Sequence, residues 1–171
     1  MNLHQYAETH EVTNQVPPLQ GINLYHADHE LGAYGQLAGG ALMEAGFLAN
    51  ENKPVFKSHD RVGNRIDLVE FHPAYHQLMS AGIAHGITSA PWTQPGPGAH
   101  VARAASMYLH NQIEAGTCCP MTMTYACVPA LKLQPDLAEK WLPKILSRQY
   151  DPRNLPIEQK TGATIGMAMT E

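Results

Sequence analysis

The chain has 171 residues, enough to bury one core. Eleven Lys and Arg against fifteen Asp and Glu leave a net charge of -4, which excludes the basic face that non-specific nucleic-acid binding needs. No run approaches the roughly twenty apolar residues of a membrane span, and residues 1–8 lack the basic and apolar regions of a secretory signal.

Only 15% of residues are charged, which predicts a surface partly covered by another chain or domain. Three Cys form no framework spacing, and the adjacent pair Cys118-Cys119 does not easily close a disulfide, so a reduced, cytoplasmic setting is expected.

Residues 1–27 read as an irregular arm. Pro17-Pro18 removes two backbone donors and favours extended structure. Leu24 and Tyr25 are candidates to anchor it on the body. Two readings stand: an arm that embraces a neighbouring subunit, and a disordered terminus.

Asp28 is a good N-cap, followed by Leu31, Tyr34, Leu37, Ala38, Ala41, Leu42, Ala45 and Leu48 at helical spacing. Five glycines inside this stretch each weaken a helix by about 1 kcal/mol, so it depends on tertiary packing. Their spacing does not suit a phosphate loop. Small residues allow close helix–helix approach instead.

Residues 50–70 read as a polar connection, in which Ile66, Leu68 and Phe71 suit either a short extended segment or plain loop. His72-Pro73 starts the next helix, with Pro at its first position. Gly82 and Gly86 weaken it, Pro91 stops it, and residues 91–98 form a breaker cluster. Residues 101–115 carry the clearest helical period, with Gly116 positioned to end that helix by a left-handed conformation. Thr117 is a candidate cap for a helix over 120–133 that Pro129 should kink. Pro135-Asp136 opens a last helix, with Pro143 inside it.

Residues 162–171, Gly-Ala-Thr-Ile-Gly-Met-Ala-Met-Thr-Glu, are apolar, partly β-branched and free of Pro. They read as the start of a strand, and a strand needs a partner. The expectation is therefore a mainly α chain that stops as a second, sheet-containing region begins.

Three constellations bear on chemistry. His26 with His29, and His72 with His76, have spacings that place two metal ligands on one helix face, but no third ligand is evident and packing or solvation is the favoured reading. Cys118, Cys119 and Cys127 sit in an apolar, Met-rich segment, where a structural role is favoured over a nucleophile. Met121-Thr-Met-Thr-Tyr125 is either core filling or a pocket wall. Its hydroxyls at Thr122 and Thr124 must bond something, often the preceding turn.

Six stretches carry a resemblance: Phe71-His-Pro-Ala-Tyr-His76, Val101-Ala-Arg-Ala-Ala105, Gln112-Ile-Glu-Ala-Gly116, Cys119-Pro-Met-Thr-Met-Thr124, Leu146-Ser-Arg-Gln-Tyr-Asp151 and Gly166-Met-Ala-Met-Thr-Glu171. In order along the chain, they resemble the acyl-CoA dehydrogenase superfamily of flavoproteins, in its AidB-like, alkylation-response branch. The resemblance implies an N-terminal helical-bundle domain over 28–160, after the arm of 1–27. Residues 161–171 would be the first strand of the following β domain.

It implies an FAD site that includes Met167, Ala168, Met169, Thr170 and Glu171. Thr170 would hydrogen-bond the isoalloxazine, since preorganised donors stabilise the negative charge of reduced flavin. Met121, Thr122, Thr124 and Tyr125 would line the acyl cavity or pack behind it. An acyl-CoA or related acyl substrate and a homo-oligomer are implied for the intact protein, with no nucleic acid bound through this segment.

The family motif continues into a Gly-Ser-Asp turn that this chain does not reach, and the family's catalytic carboxylate lies in the C-terminal domain. No catalytic residue and no metal ligand is therefore assigned here, and FAD is not expected to be held by this chain alone. The alternative is a non-catalytic helical interaction or oligomerisation module with the same fold.

Overall fold

The computed structural model describes residues 24–168, with side chains from His29 onward. Two glycines divide its first helical stretch. Helix α1 spans Leu24–Ala38 and helix α2 spans Met43–Glu51, where the sequence predicts one helix. Between them the Leu42 amide bonds back to the Leu37 carbonyl at 3.0 Å, the wider turn that Gly39-Gly40 permits. Because α1 begins at Leu24, Asp28 lies within the helix and does not cap it. Most of the expected arm, residues 1–23, lies outside the described residues.

The polar connection is a β-hairpin, which decides for the extended segment over the plain loop. Strand β1 (Val55–His59) pairs antiparallel with strand β2 (Arg65–Glu70), placing Phe56 opposite Val69 and Val55 opposite Glu70. Asp60 builds the turn. One carboxylate oxygen accepts the amides of Val62 and Asn64 at 2.8 and 2.9 Å, and the other accepts the Asn64 side-chain amide at 2.9 Å. Gly63 takes φ +89°, which a residue with a Cβ rarely adopts.

Helix α3 (Pro73–Ala84) starts where Pro73 predicts, and His72 caps it by accepting the Ala74 amide on Nδ1 at 3.2 Å. It ends earlier than predicted, at Gly86 with φ +85°, not at Pro91. Pro91 instead sits in a one-turn helix α4 (Ala90–Thr93), so only the second half of 91–98 is loop. Helix α5 (Ala99–Asn111) stops five residues before Gly116, and that glycine is not left-handed. The backbone after α5 is held instead by Glu114, whose carboxylate accepts the amides of Gly116 and Thr117 at 2.6 Å each.

Helix α6 (Cys118–Ala126) and helix α7 (Val128–Lys132) replace the single kinked helix over 120–133. Pro129 is the cause. It lacks the amide that would bond the Tyr125 carbonyl, and the Trp92 indole donates to that carbonyl at 3.0 Å instead. Helix α8 (Pro135–Ile145) runs through Pro143. A short 3-10 turn, Ile157–Gln159, precedes the last stretch. Residues 162–168 pair with no strand among the described residues.

The helices pack as a bundle: α1 on α5, α2 on α3, α3 on α6, α7 on α8. Three apolar clusters form its core. Ala38, Leu42, Ala45, Ala74, Leu78 and Ile113 fill one end. Tyr34, Met79, Ile83, Ile87 and Met121 fill the middle, and Cys127, Val128 and Ile145 the other end. Burying such side chains is worth roughly 1.5–3 kcal/mol each. Gly82 lets α3 meet α6, since a Cβ there would lie 2.6 Å from the Met121 sulfur.

A buried polar chain crosses this core. The Tyr34 hydroxyl donates to Nδ1 of His110, and Nε2 of His110 donates to the Thr117 hydroxyl at 2.9 Å. Thr117 then donates to the Glu114 carbonyl at 3.4 Å. Thr117 thus serves His110 and makes no side-chain cap to α6. Each group has a partner, which is what keeps a fully buried imidazole tolerable.

Candidate functional site

Helix α6 divides the four predicted cavity residues between two faces, because residues three apart share one side of a helix. Met121 and Thr124 are fully buried. Met121 packs in the central cluster. The Thr124 hydroxyl donates to the Pro120 carbonyl at 2.7 Å, the back-bond to the preceding turn that its position predicts. Thr122 is exposed and Tyr125 half-buried, and both turn toward a different set of partners.

That set was not legible in the sequence as a site. Arg103 of α5 donates from Nε to the Ile87 carbonyl at 3.1 Å and from Nη2 to the Thr122 hydroxyl at 3.4 Å. Its guanidinium stacks 4.0 Å over the Tyr125 ring. The Tyr125 hydroxyl bonds Nδ1 of His100, and Trp92 stands 5.2 Å from Tyr125 and 5.1 Å from His100, centroid to centroid. Arg103 makes none of the ion pairs among the described residues. The only sequence signal was a lone cation in an otherwise apolar Val-Ala-Arg-Ala-Ala run.

The last stretch docks on the opposite side of α6. The Ile165 amide donates to the Thr124 hydroxyl at 3.0 Å, and the Met167 amide to the Met123 sulfur at 3.3 Å. The same alternation extends backward: Ala163 donates to the Lys144 carbonyl and Thr161 to the Asp151 carboxylate. Odd-numbered amides from 161 to 167 thus hold the helical body, as one edge of a strand would. The even-numbered amides find no partner among the described residues. Met167 is 48% exposed and Ala168 is exposed. Met169, Thr170 and Glu171 lie outside the described residues.

Of the other constellations, Cys118, Cys127, His72 and His76 have structural partners, and the side chain of His26 lies outside the described residues. Burial pushes the Cys118 thiol up to about 11 and raises that of Cys127 also, so both stay protonated near neutrality. His72 caps α3, and His76 Nδ1 shares a hydrogen bond with the Tyr150 hydroxyl at 2.7 Å. Among the described residues, no three His, Cys, Asp or Glu side chains gather as a metal site would need.

A protein-family model, the adaptive response protein AidB N-terminal domain, matches residues 26–152. The chain belongs to the AidB N-terminal domain family. It is 41% identical to the putative acyl-CoA dehydrogenase AidB of Escherichia coli over 96% of its own length and 34% of the relative's. The chain therefore spans about a third of that curated relative.

Among solved structures, Bd2924 in its apo form superposes with a TM-score of 0.70 at 25% identity, over 82% of this chain and 30% of that one. Caenorhabditis elegans ACDH-11 in complex with C11-CoA gives a TM-score of 0.67 at 20% identity, over 73% and 22%. The latter likeness shows the fold alone, a mainly helical one; the family model and the curated relative make the chain AidB-like and acyl-CoA dehydrogenase-like. The family match ends at 152, before the stretch docked on α6. Among the described residues no helix is long and apolar enough to cross a membrane.

Proposed function

We propose that this AidB-like chain is the helical segment of an FAD-dependent acyl-CoA dehydrogenase-like oxidoreductase of the alkylation-response branch, working in the cytoplasm. The observation that carries this reading is the anchoring of Ile165 and Met167 on α6 by alternate amides, while Thr164, Gly166, Met167 and Ala168 stay exposed. An exposed run of backbone donors suits a flat, hydrogen-bonding cofactor, so the residues present fit FAD. Met167, Ala168, Met169, Thr170 and Glu171 would hold its ring system. Bound FAD would supply the hydride acceptor.

In this reading the chain's own residues position and exclude; none removes the substrate proton. Thr122 and Tyr125 line the acyl-CoA cavity, while Met121 and Thr124 pack behind it and fix the height of the backbone. The proton-abstracting carboxylate belongs to a region outside these 171 residues. The test is a protein extended to the full length of the Escherichia coli relative. Co-purification of stoichiometric flavin, with its visible absorbance, is expected. A well-folded colourless protein overturns the reading.

A second reading, a helical interaction and oligomerisation module, is favoured by the hairpin. Phe56 is 63% exposed, opposite Val69 at 46% on one face of the ribbon. A two-stranded ribbon is marginal by itself, and an apolar face of this kind suits a second copy of the chain. Sedimentation of the 171-residue chain tests this second reading: a dimer or larger homo-oligomer that Phe56→Glu dissociates supports it, and a monomer at all concentrations sinks it.

A further inference from the structure

Arg103 stands against the two α6 residues proposed to line the acyl-CoA cavity, and three contacts fix it there. Nε donates to the Ile87 carbonyl at 3.1 Å and Nη2 to the Thr122 hydroxyl at 3.4 Å. The guanidinium carbon lies 4.0 Å from the centre of the Tyr125 ring. None of these partners is a carboxylate.

That is unusual for a cation so placed. Arg103 is half-buried, and burial works against its charge. Arg65 and Arg153 are more exposed, yet each has a carboxylate partner, Asp67 and Asp151. The groups whose charge bears on Arg103 are the Tyr125 phenol and the Cys118 thiol. Burial keeps that thiol protonated near neutrality, so it supplies no countercharge. A charge taken out of water is tolerated best when paired. A countercharge is therefore due at Arg103, and none of the described residues provides it.

The donors left over match a carboxylate. A guanidinium has five N–H donors in one plane, and the contacts above use two. The Thr122 hydroxyl accepts from Nη2 and keeps its own proton to give; Thr122 is exposed. Guanidinium and hydroxyl together can serve both oxygens of one carboxylate. The aromatic pair beside them offers surface and few polar atoms. Tyr125 and Trp92 lie 5.2 Å apart, centroid to centroid. The Tyr125 hydroxyl is engaged by His100 and the Trp92 indole by the Tyr125 carbonyl. A hydrocarbon chain can lie on those rings behind its charged end. An acyl-CoA also carries phosphates, but one guanidinium matches the single charge of a carboxylate better than the near-double charge of a terminal phosphate.

We propose that Arg103 and Thr122 bind a carboxylate at the far end of the acyl chain, so that this site selects ω-carboxyacyl-CoA thioesters. The inference rests on the reading that Thr122 and Tyr125 line the acyl cavity of an FAD-dependent protein.

The test uses the protein extended to the full length of the Escherichia coli relative. Calorimetry compares butanedioyl-, hexanedioyl- and octanedioyl-CoA with the monoacyl-CoA of equal length, and with CoA itself. At the length that fits, the carboxylated thioester should bind at least about tenfold tighter, the size of one charge-assisted hydrogen bond. Arg103→Gln should abolish that difference, and Arg103→Lys should keep part of it. Yellow protein with no preference at any length overturns this inference alone. Equal weakening of both thioesters and of CoA by Arg103→Gln assigns the site to a phosphate and overturns it also. A preference that survives Arg103→Gln places the carboxylate elsewhere. The comparison within the unaltered protein is free of any folding defect. A colourless, well-folded protein overturns the flavin reading, and this one with it.

Discussion

The amide of Ile165 donates to the hydroxyl of Thr124 at 3.0 Å, across 41 residues of chain. That bond couples a fully buried residue of α6 to the stretch proposed to face a cofactor. Thr124→Val removes the acceptor and leaves the Ile165 amide unpaired. A loss of about 1–2 kcal/mol is expected by chemical denaturation, with faster hydrogen exchange at Ile165 and recovery of both in Thr124→Ser. Unchanged exchange at Ile165 would show that the bond does not hold the stretch.

His110 predicts an acid-sensitive core. Burial lowers its pKa from 6.5 to about 4, while the nearby Glu114 carboxylate opposes that shift. The unfolded chain therefore binds a proton that the folded chain refuses between those values. Stability is full above about pH 6.5 and falls as the pH drops to about 4, by about 3 kcal/mol. Burial lowers His76 and His85 in the same sense. Denaturation midpoints from pH 7.5 to 4 measure the slope, and His110→Gln should flatten it.

Three glycines sort by what a methyl group would meet. At Gly46 it collides with the Ile113 backbone carbonyl, which cannot move aside. At Gly82 it meets the flexible Met121 thioether at 2.6 Å, and at Gly32, within α1, nothing within 4 Å. Thermal unfolding should rank Gly46→Ala as most damaging, by about 2–3 kcal/mol, with Gly82→Ala milder. Gly32→Ala should stabilise by up to about 1 kcal/mol.

Asp151 organises the segment before the docked stretch. Its carboxylate accepts from the Arg153 side chain and amide and from the Thr161 amide. Those bonds hold it well below the usual carboxylate range. Asp151→Asn should open residues 151–161, read as faster tryptic cleavage after Arg153. Cleavage at the unaltered rate would mean that Lys160, bonded to two carbonyls of the same loop, suffices.

Helix starts were legible where one residue acts locally. Pro73 and Pro135 open helices because proline's fixed φ suits a first turn and its missing amide is not needed there. Helix ends were not. Gly116 is well suited to stop a helix, but α5 ends at Asn111, and the turn beyond it is held by the Glu114 carboxylate. An extended segment at Ile66 and Leu68 was open in the sequence, but its pairing with Val55–His59 was not legible, because strands so largely exposed carry only a weak alternating pattern.

The sequence by itself determined a mainly helical chain, the helix that carries Met121 to Tyr125, and the family, since its motifs recur in order and need no contact to be read. It also contained the two faces of α6, because a period of 3.6 residues already separates Met121 and Thr124 from Thr122 and Tyr125. Only the tertiary structure decided what each face meets. Arg103, His100 and Trp92 come to Tyr125 from other helices, and Ile165 comes to Thr124 from beyond α8. Partners so far apart in the chain are chosen by how helices pack, and the carbonyl freed by Pro129 has no signature until its neighbours are in place.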